Sequence, residues 1–355
     1  MASARRGPTN SRVQSRDVDA ATRQLATLMR AGIPLAQALR TLAQSHGDAL
    51  GRVFERVRRD IEAGSTLEHA LAGHPRVFDG LYRSLVAAGE LGGLLDVMLE
   101  RIACHRERTS RLRSKVRSAL VYPCAVLTIA SAAVGVILVW VVPTFGAMFD
   151  RAGSELPLPT QWVVAASESL LHHGPTLLLL LGLAAAWLLF ALRRSPRIQR
   201  LAEGCLLRIP KLGVVLTEAA AARWCRTLGL LLGAGVPLTD ALDTVGRVSG
   251  QHRLADDTRR IRRDIAMGQR LAPGMARSPC FSAVAVQMAE IGEESGALDN
   301  LLGKAAEFLE QSVEEAVTEM TTLLEPAIML ILGIVMGGVI IALYLPVFRL
   351  GSAVA

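Results

Sequence analysis

Glu290, Glu293 and Glu294 fall in and just before a stretch that reads Gly292-Glu293-Glu294-Ser295-Gly296. Glu290 precedes Glu293 by three residues and Glu294 by four, so on a helix two carboxylates share one face. Such a pair suits general acid–base work or a hard cation. The same residues also suit a corner between two helices, with glycine where the backbone turns through positive φ and Glu near a helix start. A second copy of the corner, Gly89-Glu90-Leu91-Gly92-Gly93, keeps Glu90 but has Leu91 and Gly92 in place of the second acid and the serine. A corner that persists while its acids vary reads as structural. No catalytic residue is assigned here, and a cation at Glu290, Glu293 and Glu294 is the open alternative.

Other chemistries find no pattern in the sequence. The histidines His46, His69, His74, His105, His172, His173 and His252 never form H-E-x-x-H. His172 and His173 read as interfacial residues at the outer edge of a membrane. Gly303-Lys304 lacks the upstream loop and the hydroxyl of a phosphate-binding loop, and no G-x-S-x-G occurs. Cys104, Cys124, Cys205, Cys225 and Cys280 form no C-x-x-C pair. The expectation is five reduced and mostly buried thiols. The chain reads as a non-enzyme with no cofactor and no metal ligand set.

The elements that would position these residues are dominated by apolar blocks. Of 355 residues 51 % are hydrophobic and 20 % charged, below the roughly 25 % charged of an ordinary soluble domain. That excludes a simple soluble enzyme and a disordered chain. Aromatic residues at 4 % argue against a β-barrel with aromatic girdles. Residues 119–149, 169–192 and 326–348 contain no Asp, Glu, Lys or Arg, and a transmembrane helix needs about 20 such residues. Tyr122 and Trp140 stand roughly 27 Å apart on a helix, close to the hydrocarbon thickness. The net charge of +7 is spent around these blocks. Arg106, Arg108, Arg111, Arg113, Lys115 and Arg117 precede the first, and Arg193, Arg194, Arg197 and Arg200 follow the second. Basic residues that bracket apolar spans set topology, so nucleic acid is not an expected partner.

The positive-inside rule then gives an all-α membrane protein. A flexible basic arm occupies 1–16, with no apolar region of a signal peptide. A cytoplasmic helical domain spans 17–118, a first transmembrane helix 119–142 and a periplasmic loop 143–173. A second transmembrane helix spans 174–192, a second cytoplasmic helical domain 193–326, a third transmembrane helix 327–347 and a periplasmic tail 348–355. Gly333 and Gly337, with Gly338 beside them, form a small-residue face through which helices pack closely in lipid, so a homo-oligomer is expected.

The chain repeats itself. RQLATLMRAGIPLAQA from Arg23 matches RTLGLLLGAGVPLTDA from Arg226 at an offset of 203 residues. Gly89-Glu90, Leu95-Asp96, Pro123, Pro143 and Phe145 have partners at the same offset, and Arg58-Arg59-Asp60-Ile61 at 204, read as one slip. Each repeat is a soluble module followed by one membrane helix. The unpaired middle span carries the chain back, so that both modules face the cytoplasm. Leu25, Leu28, Leu35, Leu39 and Leu42 recur at helical spacing. Gly32 and Pro34 interrupt that pattern, as Gly235 and Pro237 do in the second module, in the manner of a helix cap followed by a new first turn. A helix ending near Gly89 and another starting near Gly93 complete a bundle of about six helices per module.

These residues together resemble the GspF/PilC family, the inner-membrane platform proteins of type II secretion systems and type IV pili. The resemblance rests on Thr22 to Leu28, Gly32-Ile33-Pro34-Leu35, Tyr122-Pro123, Val142-Pro143 through Phe149, and Leu156-Pro157-Leu158-Pro159-Thr160. It continues in Gly292-Glu293-Glu294-Ser295-Gly296, Leu324-Glu325-Pro326 and Ala342-Leu343-Tyr344-Leu345-Pro346. It implies a hub that couples a cytoplasmic secretion or pilus ATPase to assembly of pilin or pseudopilin subunits. The implied partners are further copies of itself, that ATPase, pilin or pseudopilin, other inner-membrane assembly components and membrane lipid. The family's motif corners would include Gly32, Pro34, Gly89, Glu90, Gly235, Pro237, Gly292, Glu293 and Gly296. His74-Pro75 and Phe78-Asp79 lean towards a pilus. A membrane transporter or a membrane-anchored signalling protein is the alternative; the former lacks a charged pathway across the spans, the latter a sizeable outer domain.

Overall fold

The computed structural model of the chain describes residues 13–144, 158–194, 196–209 and 211–354. Most of the expected basic arm and residues 145–157 of the expected loop lie outside them. Every regular element among the described residues is helical. The first half holds α1 (Ser15–Arg30), α2 (Leu35–Ser45), α3 (Asp48–Glu62), α4 (Leu67–Ala72), α5 (Gly80–Gly92) and α6 (Leu95–Val136). Residues Ile137–Val141 extend α6 as a π-helical turn. The middle carries α7 (Leu158–Arg194) and α8 (Pro196–Leu207). The second half repeats the first in α9 (Leu212–Gly233), α10 (Leu238–Val248), α11 (His252–Ala266), α12 (Leu271–Ala276), α13 (Ala283–Ser295) and α14 (Leu298–Val354).

The starts of α2 and α10 differ by 203 residues, those of α3/α11 and α4/α12 by 204, and those of α5/α13 and α6/α14 by 203 again. The single slip read from the sequence is therefore a pair of compensating changes. The second copy has one more residue before α11 and one fewer between α12 and α13.

Two compact units form. One holds the described residues up to Ser114 together with Leu207–Glu314, and the other holds Lys115–Leu206 together with Glu315 onwards. Both soluble modules therefore lie in one unit and share one hydrophobic core rather than folding as separate bodies. The core keeps its volume between copies by exchanging large and small residues. Phe78 packs against Phe54 and Tyr82, with ring centroids 6.2 and 5.0 Å away. In the second copy Thr258 and Ala285 replace Phe54 and Tyr82, and Trp224 replaces Ala21. The Trp224 ring fills the released space, 4.7 Å from Phe281, and its Nε1 donates to Thr258 Oγ1 at 2.9 Å. Volume-conserving exchanges of this kind preserve a core that single substitutions would void or overfill.

In the other unit many large apolar side chains point outward. Two helices, Leu95–Thr144 and Leu298–Leu345, are long and apolar enough to cross a membrane. Trp140 is 74 % exposed and Ile334 66 %. The helix α7 begins at Leu158 and so includes residues 158–173, placed in a connection by the sequence reading, as well as the charge-free stretch that follows. Its Leu179, Leu183 and Trp187 are exposed too. Two hydroxyls on α7 are instead buried. Thr160 Oγ1 donates to the Ala342 carbonyl of α14 at 2.6 Å, and Ser167 Oγ donates to the Leu138 carbonyl in the π-helical turn. A π turn disturbs the regular ladder, and a hydroxyl from a neighbouring helix satisfies the carbonyl there. Thr160, Ser167 and Gly174, buried and spaced seven residues apart, lie on one side of α7.

Candidate functional site

The repeated corners between α5 and α6 and between α13 and α14 hold the residues singled out in the sequence. Gly93 and Gly296, the residues after α5 and α13, adopt φ of 66° and 70° and make the turns. Gly89 and Gly292, expected at those turns, instead lie within the helices and serve close packing. A Cβ on Gly89 would stand 2.9 Å from Met98 Cγ and 3.1 Å from Leu95 Cα, and one on Gly292 2.9 Å from Leu298 Cα. Gly32 and Gly235 turn the chain with φ of 79° and 80°, and Pro34 and Pro237 stand just before α2 and α10.

Glu90 and Glu293 do not start their own helices. Each reaches across to cap another. Glu90 accepts from the Leu67 and Glu68 amides at 2.5 and 2.9 Å, at the start of α4. Glu293 accepts from the Leu271 and Ala272 amides at 2.6 and 3.0 Å, at the start of α12. The first N–H groups of a helix have no partner within it and favour a negative charge. Both oxygens of Glu293 are thus engaged, with Arg270 3.9 Å away. Glu294 is exposed and faces Arg270 at 3.5 Å, and Glu290 is exposed. No cluster of three or more metal-ligating side chains occurs among the described residues. The exposed residues of the corner diverge between copies: Leu91 (92 % exposed), Leu94 and Val97 become Glu294, Ala297 and Asn300.

A second repeated pair was missed from the sequence. Arg23 Nε donates to Glu107 at 2.6 Å and the guanidinium also meets Glu100. Arg226, its equivalent, forks onto Glu310 at 3.2 and 2.8 Å. Glu310 is the equivalent of Glu107, so α1 is pinned to α6 as α9 is to α14. Arg23 holds the Glu107 carboxyl below the usual range. The signal was present in the common offset of both partners, but hydrophobic periodicity does not report ion pairs. Across the copies, Arg108 meets Glu307 at 3.1 Å.

The histidine and thiol assignments come out unevenly. His105 is largely shielded, its Nδ1 is buried without a hydrogen-bond partner among the described residues, and burial pushes its pKa down to about 4. Cys225 and Cys280 are buried, and burial pushes the Cys225 thiol up to about 12. Cys104, Cys124 and Cys205 are exposed, which corrects the expectation of mostly buried thiols. A groove of about 630 Å³ is lined by Arg40, His46, Arg52, Glu55 and Arg58. Within it Arg58 donates to Glu55 and Glu62, and pulls the Glu55 carboxyl down to about 2.

Within the apolar unit, Tyr122 and Glu325 occupy equivalent positions, and the Tyr122 hydroxyl lies 3.4 Å from a Glu325 carboxylate oxygen. A Cβ placed on Gly333, Gly337 or Gly338 would meet nothing within 4 Å. Among the described residues nothing packs against these three positions.

The family described as "Type II secretion system (T2SS), protein F" matches the chain twice, over residues 21–143 and 224–346. The two matches stand at the same offset of 203 residues that relates α5 to α13 and α6 to α14. The chain is 37 % identical over 350 residues to the type IV pilus assembly protein TapC of Aeromonas hydrophila, covering 97 % of this chain and 84 % of that one. It is 41 % identical over 338 residues to the type 4 fimbrial assembly protein PilC of Pseudomonas putida, 94 % and 83 % of the two chains. It is 35 % identical over 334 residues to the type II secretion system protein F of Xanthomonas campestris pv. campestris, 94 % and 82 % of the two chains. The chain belongs to the type II secretion system protein F family.

Proposed function

We propose that this chain is the inner-membrane platform of a pilus or pseudopilus assembly machine, and that it serves a type IV pilus. The observation that carries the reading is the double family match over both halves, together with relatives named for type IV pilus assembly at 37 to 41 % identity. The similarity to a secretion protein at 35 % keeps type II secretion as the second reading. The platform is non-enzymatic. It engages a cytoplasmic ATPase through its soluble unit, and pilin, other inner-membrane components and lipid through its apolar helices.

Chain connectivity supports the membrane arrangement that we propose. Both soluble modules share one core, so they lie on one side of the membrane. The chain between Ser114 and Leu207 must then cross an even number of times. The apolar end of α6 carries it out and α7 carries it back, anchored by Thr160 and Ser167. The last crossing is α14. With basic residues inside, the N-terminus and both modules (17–118 and 193–326) are cytoplasmic, and the segments 143–173 and 348–355 are periplasmic. The spans are 119–142, 174–192 and 327–347. The uncovered Gly333, Gly337 and Gly338 face joins copies within the bilayer.

The test is deletion of the gene in its host. Surface pili should vanish while pilin accumulates in the inner membrane, and the intact gene on a plasmid should restore them. Loss of secreted enzymes with pili intact would select the secretion reading. Normal pili and normal secretion would overturn both.

A further inference from the structure

Within the soluble unit the two copies meet through unlike faces. Helix α5 of the first copy packs on α9 and α10 of the second. Ser84 Oγ lies 3.4 Å from Thr244 Oγ1, and a Cβ on Gly80 would lie 3.9 Å from Val248 Cγ2. The equivalents of these residues are Gln287 and Ala283 on α13, and Thr41 and Ser45 on α2. No comparable α13–α2 contact exists among the described residues. The consequence appears in exposure. Thr244 is 4 % exposed, whereas Thr41 is open to solvent. Leu81 and Leu85 are buried, whereas their equivalents Val284 and Met288 are only partly so. Ala283, Gln287 and Ile291 are exposed.

Each copy thus carries one face of the α5 kind and one of the α2 kind, and the chain uses only one of each. The two left over, on α13 and α2, are the same complementary types as the pair in use. A contact between unlike faces does not close on itself in a dimer. Repeated, it yields a ring or an open array. We propose that the α13 face of one chain docks on the α2 face of a second copy, head to tail, in the antiparallel register set by Ser84 and Thr244.

That register places Gln287 against Thr41 and Ala283 against Ser45. The chemistry fits. Thr41 and Ser45 donate their hydroxyls to the Gln37 and Thr41 carbonyls, at 3.1 and 2.6 Å, which leaves oxygen lone pairs for an incoming amide. In that register Val284, Met288 and Ile291 lie opposite Gln44, Arg40 and Gln37, long side chains whose stems cover apolar surface. The exposed Glu290 on α13 and Arg40 on α2 bring opposite charges to the edges of the two faces. The contact is expected whether the machine builds pili or secretes protein.

Cysteine crosslinking of the full chain in its membrane tests it. In a background with Cys104, Cys124 and Cys205 replaced by Ser, two differently tagged copies carrying Thr41→Cys and Gln287→Cys are co-expressed and oxidised. A dimer band bearing both tags is expected, with none when both copies carry the same substitution. One chain carrying both substitutions should give a ladder beyond the dimer. Ser84→Cys with Thr244→Cys in a single chain should close an internal bond and reports that the unit is folded. With that internal bond formed, the absence of the mixed band, or bands only between identical sites, overturns the proposal.

Discussion

The Leu271 amide donates to Glu293 Oε1 at 2.6 Å, and the same bond recurs 2.5 Å long between Leu67 and Glu90. A glutamate on one helix thereby fixes the start of another, and the corner glycines beside it let the next helix pack closely. The two sites differ in their reserve. Thr66 also caps α4, accepting from the His69 amide at 3.2 Å, whereas Arg270 supplies no side-chain cap to α12. Glu293→Ala should therefore destabilise the soluble unit by about 2 kcal/mol and Glu90→Ala by about 1 kcal/mol, the scale of lost caps and charged hydrogen bonds. Thermal unfolding of the detergent-solubilised chain measures both. Equal effects, or a larger one at Glu90, would contradict the asymmetry of the caps.

Much of this arrangement was legible in the sequence, because duplication prints it twice. The offset between Arg23 and Arg226 gave the register, and Gly32 and Gly235 marked true turns. The roles of Gly89 and Glu90 were less legible. A glycine packed against Leu95 and a glutamate that caps a helix more than twenty residues upstream leave the same letters as a simple turn. The merger of both modules into one core was also hidden, since apolar periodicity names the buried face of a helix but not the helix that covers it. The buried hydroxyls of Thr160 and Ser167 were obscured because the charge-free run begins only at Ser169.

His105 supplies a pH dependence. Its ordinary pKa of 6.5 is pushed down to about 4, chiefly by burial, with Arg226, Arg106 and Arg108 adding to the effect and Asp79 opposing it. A depressed histidine is neutral in the fold. Above about pH 6.5 neither state is protonated and nothing is lost. As pH falls further the unfolded chain takes up a proton that the folded chain refuses, and stability drops until about pH 4, by up to about 3 kcal/mol. Glu107 and Glu307 lose their contributions only below their ordinary 4.5. His105→Leu should flatten the profile between pH 6.5 and 4.5, read as unfolding midpoints at both ends. An unchanged slope in that variant would assign the effect elsewhere.

Topology can be read directly. Reporter fusions after Arg106 and Gly250 should be active only in the cytoplasm, and one at Gly153, outside the described residues, only in the periplasm. Both modules share a core, so Arg106 and Gly250 must agree whatever the orientation. A split result would dismantle the shared unit as well as the motor-facing role proposed for it. Agreement on the periplasmic side would reverse the orientation and leave the shared unit standing.

Purified chain should neither bind nor hydrolyse ATP above background, because Gly303-Lys304 has no phosphate-cradling loop ahead of it. Equilibrium dialysis with labelled nucleotide measures this independently of any partner. Saturable binding by the chain alone would return a motor function to the platform itself.

The glycine face of α14 makes a separate prediction. Among the described residues a Cβ at Gly333 or Gly337 meets nothing beyond its own helix within 4 Å, so the first atom of a larger side chain there is accommodated within the single chain. Association in lipid depends on close packing of helix backbones, and leucine at both positions blocks the approach. Gly333→Leu with Gly337→Leu should leave the unfolding midpoint of the soluble unit unchanged. Lipid-phase crosslinks between copies of α14 should disappear, and pilus output should fall. The head-to-tail crosslink between Thr41→Cys and Gln287→Cys should weaken without vanishing, since that contact lies in the soluble unit. If α14 crosslinks persist in the double variant, this face does not join copies. Assembly would then rest on the soluble contact, or on the exposed apolar surface of α6 around Ile129 and Trp140.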